Sequence, residues 1–167
     1  METPANSANI VFRPGIIADV VFKPLTLFHD HRGWLCEFFR NDEVPAEYRP
    51  VMAYTSLTLP GIVRGPHEHV TQSDYFCFIG PSDFALYLWD NRPQSSTYRV
   101  HQVERIGASR PMAVIIPPGV VHGYKNVGGE PGLVFNAANQ LYKGEGKSQP
   151  VDEIRHEHDP ASPFRIT

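Results

Sequence analysis

The sequence predicts an all-β fold, a sandwich or barrel of short strands, on three observations. Prolines (16) and glycines (13) are spread along the 167 residues and cut the chain into pieces too short for long helices. Between these breaks lie strand-like runs rich in β-branched and aromatic residues, at 16–22, 34–39, 51–59, 74–79, 84–89, 98–103, 112–116 and 133–138. Residues suited to bends stand between the runs: Asp30-His31-Arg32-Gly33, Asn91-Arg92-Pro93 and Val127-Gly128-Gly129-Glu130. Residues 42–48 predict a single helical turn, and 139–142 lead into a polar loop at 143–149. No repeat, low-complexity tract or long linker divides the chain, so 1–167 is expected to form one domain with a core of its own.

Composition removes several functional classes. A net charge of −3 with scattered Lys and Arg leaves no basic stripe, so nucleic acid is not an expected partner. No run approaches the ~20 apolar residues that span a bilayer, and the N-terminus lacks a basic-then-apolar signal pattern. Two cysteines, Cys36 and Cys77, make no disulfide framework and no CxxC pair. A soluble protein of the reducing cytoplasm is the expectation.

Chemistry concentrates in the segment from Gly61 to Gly80. On a strand, His67 and His69 point to one face, where a half-buried strand ordinarily carries Val or Ile. Asp74 follows five residues later, and His122 comes just after Pro117-Pro118-Gly119. With Gly61 and Gly80, the first set resembles the first cupin half-motif, with Asp74 where Glu is usual. Pro117, Gly119, His122 and Asn126 resemble the second. The pair implies a cupin-type double-stranded β-helix, a jelly-roll barrel.

A narrower resemblance runs from about residue 28 to 164. Asp30, Arg32, Gly33, Glu37 and Phe39 resemble the D-x-R-G-x-x-x-E-x-F opening of the dTDP-4-dehydrorhamnose 3,5-epimerase family, and Arg64-Gly65-Pro66-His67 its R-G-x-H segment. Asp90, Arg92, Ser95, Thr97 and Tyr98 resemble D-x-R-x-x-S-x-T-(F/Y), Ile116 to Gly123 resembles I-P-x-G-x-x-H-G, and Tyr142 with Asp159-Pro160 resembles the closing Tyr and D-P. The chain departs from the family at His67-Glu68-His69 for H-Y-Q, at Tyr54 for an Asn, and at Ser73-Asp74-Tyr75 for G-K-L, where a lysine becomes a carboxylate. Arg64 to His69 is also similar to the R-G-x-H-A-H of the sugar-nucleotide 3,4-ketoisomerases, which lack the D-x-R-x-x-S-x-T segment.

The resemblance implies an isomerase acting on a nucleotide-linked 4-keto-6-deoxy sugar by 3- and/or 5-epimerisation, without a cofactor. Such a reaction needs a base, enolate stabilisation and an acid on the opposite face. Histidine suits the first task because its unperturbed pKa of ~6.5 leaves it largely neutral at pH 7. His67 is the expected base, Asp159 its carboxylate partner and Tyr142 the acid, with His122 or Lys143 donating to the enolate. Arg32 and Arg64 suit a diphosphate through their guanidinium forks, and Glu37, His69 and Lys143 complete the expected substrate contacts. Phe39, Tyr54 and Trp89 are candidates to stack on a base. Asp90 and Arg92 read as a structural turn pair. The resemblance also implies a homodimer in which Arg32 reaches the neighbour's site.

Two other readings remain open on the sequence. His67, His69, Asp74 and His122 form a three-nitrogen, one-oxygen set suited to Zn, Fe, Mn or Ni, which would make the protein a metal-dependent isomerase or dioxygenase and would commit the lone pair of His67. A non-catalytic sugar-binding cupin would keep the barrel and the arginines and lose the base and acid.

Overall fold

The computed structural model describes residues 10–167. Its strands are β1 (Arg13–Pro14), β2 (Val21–Pro24), β3 (Leu27–Asp30), β4 (Gly33–Cys36), β5 (Met52–Thr58), β6 (Val63–Glu68) and β7 (Asp74–Gly80). They continue as β8 (Asp83–Asp90), β9 (Val100–Gly107), β10 (Met112–Ile116), β11 (Val120–Asn126), β12 (Gly132–Ala138) and β13 (Ile154–Arg155). Helix is confined, among the described residues, to three-residue 3₁₀ turns such as Ala46–Tyr48, inside the expected 42–48 segment. No helix among the described residues is long and apolar enough to cross a membrane.

Two sheets face each other, one ordered β1-β9-β8-β11-β6-β13 and the other β2-β10-β7-β12-β5, with β3 and β4 forming a separate hairpin. This bears out the all-β, cupin-type expectation. Alternation explains how the strands fill three layers. Phe76 and Phe78 of β7 meet Phe84, Leu86 and Leu88 of β8, Val114 of β10 and Val134 of β12 between the sheets. Their odd neighbours point outward. Tyr75 and Cys77 pack under Leu25, Val44 and Phe38, while Tyr87 and Trp89 pack under Phe164 near the C-terminus. Burial on both faces is why DYFCFIG and DFALYLWD read as nearly continuous apolar runs. Each large apolar side chain withdrawn from water this way contributes about 1.5–3 kcal/mol.

The expected strands at 51–59, 74–79, 84–89, 112–116 and 133–138 match the observed ones to within a residue or so. The expected 16–22 strand forms only from Val21, and 98–103 begins at Val100 and runs on to Gly107. The 34–39 run is the second half of a hairpin whose first strand, β3, was not anticipated. Its two-residue turn, His31-Arg32, is closed by the Arg32 amide donating to Asp30 Oδ1 at 2.8 Å.

The Asp90 to Thr97 segment is a structural knot, in line with the reading of Asp90 and Arg92. Asp90 is fully buried and accepts from Arg92 Nε at 2.9 Å, and from the Ser95 and Thr97 hydroxyls at 2.6 Å each. Arg92 Nη2 also donates to the Ala18 carbonyl at 2.7 Å, tying the N-terminal segment to the turn. Burial works to raise the Asp90 pKa, but these donors outweigh it and hold the carboxyl at about 2.

Candidate active site

The alternation that fills the core with Phe76 and Phe78 places Asp74, at the start of β7, on the same inward face. On β11 it points His122 inward with Val120 and Tyr124, and on β12 it points Asn136 inward beside Val134. His122 lies opposite His67 of β6 in the strand register. That pairing requires close backbone approach. A Cβ on Gly65, which has φ +84°, would lie 2.8 Å from the His122 carbonyl and 3.2 Å from His67 Nδ1.

Asp74 is the centre of the polar end of the barrel, with 1% of its surface exposed. Its Oδ1 accepts from Asn136 Nδ2 and Gln72 Nε2, both at 3.0 Å. Its Oδ2 faces His122 Nε2 at 3.1 Å and His69 Nε2 at 3.2 Å. The opposite ring nitrogens rest on backbone carbonyls, His122 Nδ1 on Val120 at 2.9 Å and His69 Nδ1 on Asp152. Burial alone would raise the Asp74 pKa, but His122 and His69 outweigh it and hold it well below the usual carboxylate range. For His69, burial is opposed by Asp74 and the Asp152 carbonyl, and the pKa is raised.

His67 stands apart from this pair. Its ring packs edge-on to His122 with centroids 4.5 Å apart, and its Nδ1 looks toward Glu153 Oε1 at 3.8 Å. Burial first, and then the neighbouring His122, push its pKa well below the ordinary histidine value, so the ring is neutral. It lines two adjoining cavities of about 720 and 440 Å³, and Tyr54, Glu153 and Arg155 also line both. The larger carries Tyr142, Lys143 and Lys147, and the smaller Arg64, Ser56 and Tyr124. A neutral imidazole, phenols and cationic side chains around one cleft can abstract a proton, return one and hold an anion.

The other expected site residues divide. Tyr142 is 49% exposed and lines the large cavity, with Lys143 Nζ 5.7 Å from the centre of its ring. Arg64 lines the small cavity while donating to Thr58 Oγ1 at 2.9 Å and the Leu57 carbonyl at 2.8 Å. Asp159 is not brought to His67. It lies exposed beyond the His156–His158 turn, where its carboxylate accepts from the Ala161 amide at 2.8 Å, and Glu153 is the carboxylate beside His67. His122, 2% exposed, lines neither cavity and has both nitrogens engaged, so it does not present a donor to an enolate. Arg32 and Glu37 are exposed and line neither cavity, Arg32 pairing with Asp30 at the tip of the β3–β4 hairpin. Of the stacking candidates, Trp89 is buried against His101 and Phe39 packs half-buried against Tyr75, leaving Tyr54 in the cleft.

Comparison with known proteins supplies the family. The family model described as dTDP-4-dehydrorhamnose 3,5-epimerase matches residues 15–152. The chain belongs to the dTDP-4-dehydrorhamnose 3,5-epimerase family. It is 37% identical over 131 residues to the probable low-salt glycan biosynthesis epimerase Agl13 of Haloferax volcanii, covering 77% of this chain and 83% of that one. It is 34% identical over 128 residues to the spore coat polysaccharide biosynthesis protein SpsL of Bacillus subtilis, covering 76% and 83%. Among solved structures, a dTDP sugar isomerase from Desulfovibrio desulfuricans shares the fold with a TM-score of 0.76 at 22% identity, over 89% of this chain and 91% of the other. NovW, a 4-keto-6-deoxy sugar epimerase from Streptomyces spheroides, shares it with a TM-score of 0.70 at 23% identity, over 95% and 80%. The expectation of an isomerase of the sugar-nucleotide epimerase type is thereby borne out.

Of the residues that sequence reasoning missed, Glu153 and Arg155 lie past the stretch that the family model matches. Glu153 and Arg155 enter the site on the segment around β13, which adds itself to the edge of β6 with Arg155 opposite His67. Asp152 anchors that segment, accepting from the amides of Val70 and Thr71 at 2.9 Å and of Gln72 at 2.7 Å. The sequence carries no alternation there to announce a strand, because Val151-Asp152-Glu153-Ile154-Arg155 puts an apolar and a charged residue on each face.

Proposed function

We propose that this protein epimerises a carbon next to the ketone of a dTDP-linked 4-keto-6-deoxy sugar, with His67 as the base and Tyr142 as the acid. The observation that carries this reading is the placement of His67, a neutral imidazole shared by two adjoining cavities with phenols and cations around it. His67 takes the proton from the α-carbon, and the electron pair of the broken C–H bond passes into the C4 carbonyl as an enolate. Lys143 on the cavity wall offsets the oxyanion, and the Tyr142 phenol gives a proton to the opposite face of the carbon. Exchange with water then restores both groups. Glu153 steadies the His67 ring and its imidazolium, the part that sequence reasoning assigned to Asp159. Arg64, Lys147 and Arg155 supply the positive charge that a sugar diphosphate requires.

The same reading includes a homodimer, supported by apolar side chains left in water on the β3–β4 hairpin, and a reducing cytoplasmic setting, supported by the free thiols of Cys36 and Cys77. The test of catalysis is isotope exchange. Incubation with dTDP-4-keto-6-deoxyglucose in deuterated water should place deuterium at C3, C5 or both, and His67→Asn should slow that by ~10²–10⁴-fold. Wild-type protein that leaves both positions protonated would overturn the assignment.

A further inference from the structure

We propose that the Tyr54 phenol donates a hydrogen bond to the enolate oxygen during turnover, which rests on the epimerase reading and adds a catalytic residue to it. Tyr54 stands on β5 directly opposite Asn136 of β12. Asn136 Nδ2 lies 3.0 Å from Asp74 Oδ1 and 2.9 Å from the Tyr54 hydroxyl oxygen. Asp74 is ionised and only accepts, so it fixes which way this amide faces. Turned over, the amide would set its own oxygen 3.0 Å from Asp74 Oδ1, two acceptors with no hydrogen between them. Nδ2 carries two hydrogens, and each partner takes one. The Tyr54 oxygen is therefore an acceptor on its Asn136 side, and its own hydrogen has no partner among the described residues.

That uncommitted hydrogen sits where the chemistry needs it. Tyr54 borders both adjoining cavities, as His67 does, while Lys143 borders only the larger and keeps its Nζ near the Tyr142 ring. The oxygen that collects charge is carried by the carbon next to the one His67 deprotonates, so its donor has to share the junction with the base. The other phenol of the smaller cavity, Tyr124, is buried and paired with Ser56 Oγ at 2.9 Å.

Tyr54 is also suited to hold an oxyanion without quenching it. Burial, partly offset by the Asn136 donor and reinforced by the charge of Asp74, pushes its pKa up to about 12, so the proton stays on the phenol. When His67 takes the α-proton, the C–H electron pair forms the new carbon–carbon double bond and the carbonyl π pair moves onto oxygen, where the Tyr54 hydrogen meets it. Proton return from Tyr142 reverses the shift. Two departures from the family pattern meet in this chain of contacts, because Tyr54 in place of Asn and Asp74 in place of Lys are the two ends of the Asn136 bridge. The carboxylate sets the amide, and the amide leaves the phenol hydrogen to the cleft.

The test compares Tyr54→Phe with Tyr142→Phe on dTDP-4-keto-6-deoxyglucose in deuterated water, following deuterium incorporation and inversion separately by NMR. Losing an oxyanion donor slows enolate formation itself, so Tyr54→Phe should lower exchange and inversion in parallel, by about 10²–10³-fold in kcat with KM little changed. Losing the acid leaves deprotonation and same-face return through His67, so Tyr142→Phe should lower inversion far more than exchange. Tyr54→Phe keeps the ring, so dTDP affinity by calorimetry and the circular dichroism spectrum should match the wild type. Wild-type turnover in Tyr54→Phe would overturn the proposal and leave the epimerase reading standing, whereas a wild type that exchanges nothing overturns that reading first. Weaker dTDP binding with kcat retained would make Tyr54 a stacking surface, and inversion lost with exchange spared would make it the acid; either result overturns the proposal.

Discussion

Glu153 stands 3.8 Å from His67 while Asp159 lies exposed, so the two carboxylates separate experimentally. Glu153→Gln keeps the shape and removes the charge that would support an imidazolium. It is expected to lower kcat on the order of 10-fold with KM nearly unchanged, because the residue acts on the base and not on substrate affinity. Asp159→Asn should lower kcat by less. Steady-state kinetics of the two variants checks this, and a larger loss from Asp159→Asn would return the role to the residue that the motif suggested. The same scale shows why the carboxylate nearest His67 is not the one that the motif suggested. A motif records residue types in order, whereas partnership depends on which segment of a curving C-terminus pairs with β6, and pairing places Arg155 opposite His67.

At the scale of an element, the Asp90 to Thr97 turn makes predictions about stability rather than turnover. Asp90→Ala leaves Arg92, Ser95 and Thr97 without their common acceptor in a buried site, a change that typically costs about 3–5 kcal/mol. For a chain of this size that is a fall in Tm of roughly 6–20 °C, measurable by calorimetry or circular dichroism. The wild-type turn should also weaken in acid. Its folded pKa of about 2 lies below the ~3.9 of an unfolded aspartate, so the contribution is complete above ~3.9 and disappears as pH falls through 2. The amount at stake is about 2–3 kcal/mol. Denaturant titrations at pH 6, 4 and 2.5 check the slope, and Asp90→Asn should flatten it.

At the scale of the molecule, the β3–β4 hairpin leaves Phe28 at 59% and Leu35 at 65% exposure on one face and Trp34 at 51% on the other, apolar surface standing apart from both sheets. Burial of that surface against a second copy would bring Arg32 to the neighbour, the arrangement that the family resemblance implies. Light scattering should give the mass of two chains, and Trp34→Glu with Leu35→Glu should halve it while circular dichroism still reports a β-rich fold. A wild-type monomer at working concentration would count against the assembly.

The sequence by itself determined the layered β architecture and the polar end of the barrel. Period 2 puts Asp74 on one face with Phe76 and Phe78 on β7 and His122 on one face with Val120 and Tyr124 on β11, so burying those aromatics between the sheets carries Asp74 and His122 to a common interior. The reading of His67 and His69 as same-face neighbours follows from the same alternation, and their rings lie 5.6 Å apart. What only the tertiary structure decided are the relations made across long loops by groups with no periodicity to announce them. Glu153 beside His67, Asp152 capping the amides of residues 70–72, and the two carbonyls that turn Nε2 of His69 and His122 toward Asp74 are of this kind. A side chain's hydrogen-bond state depends on which backbone atoms reach it. That is set by how the strands close on one another, and the identity of the residue carries no trace of it.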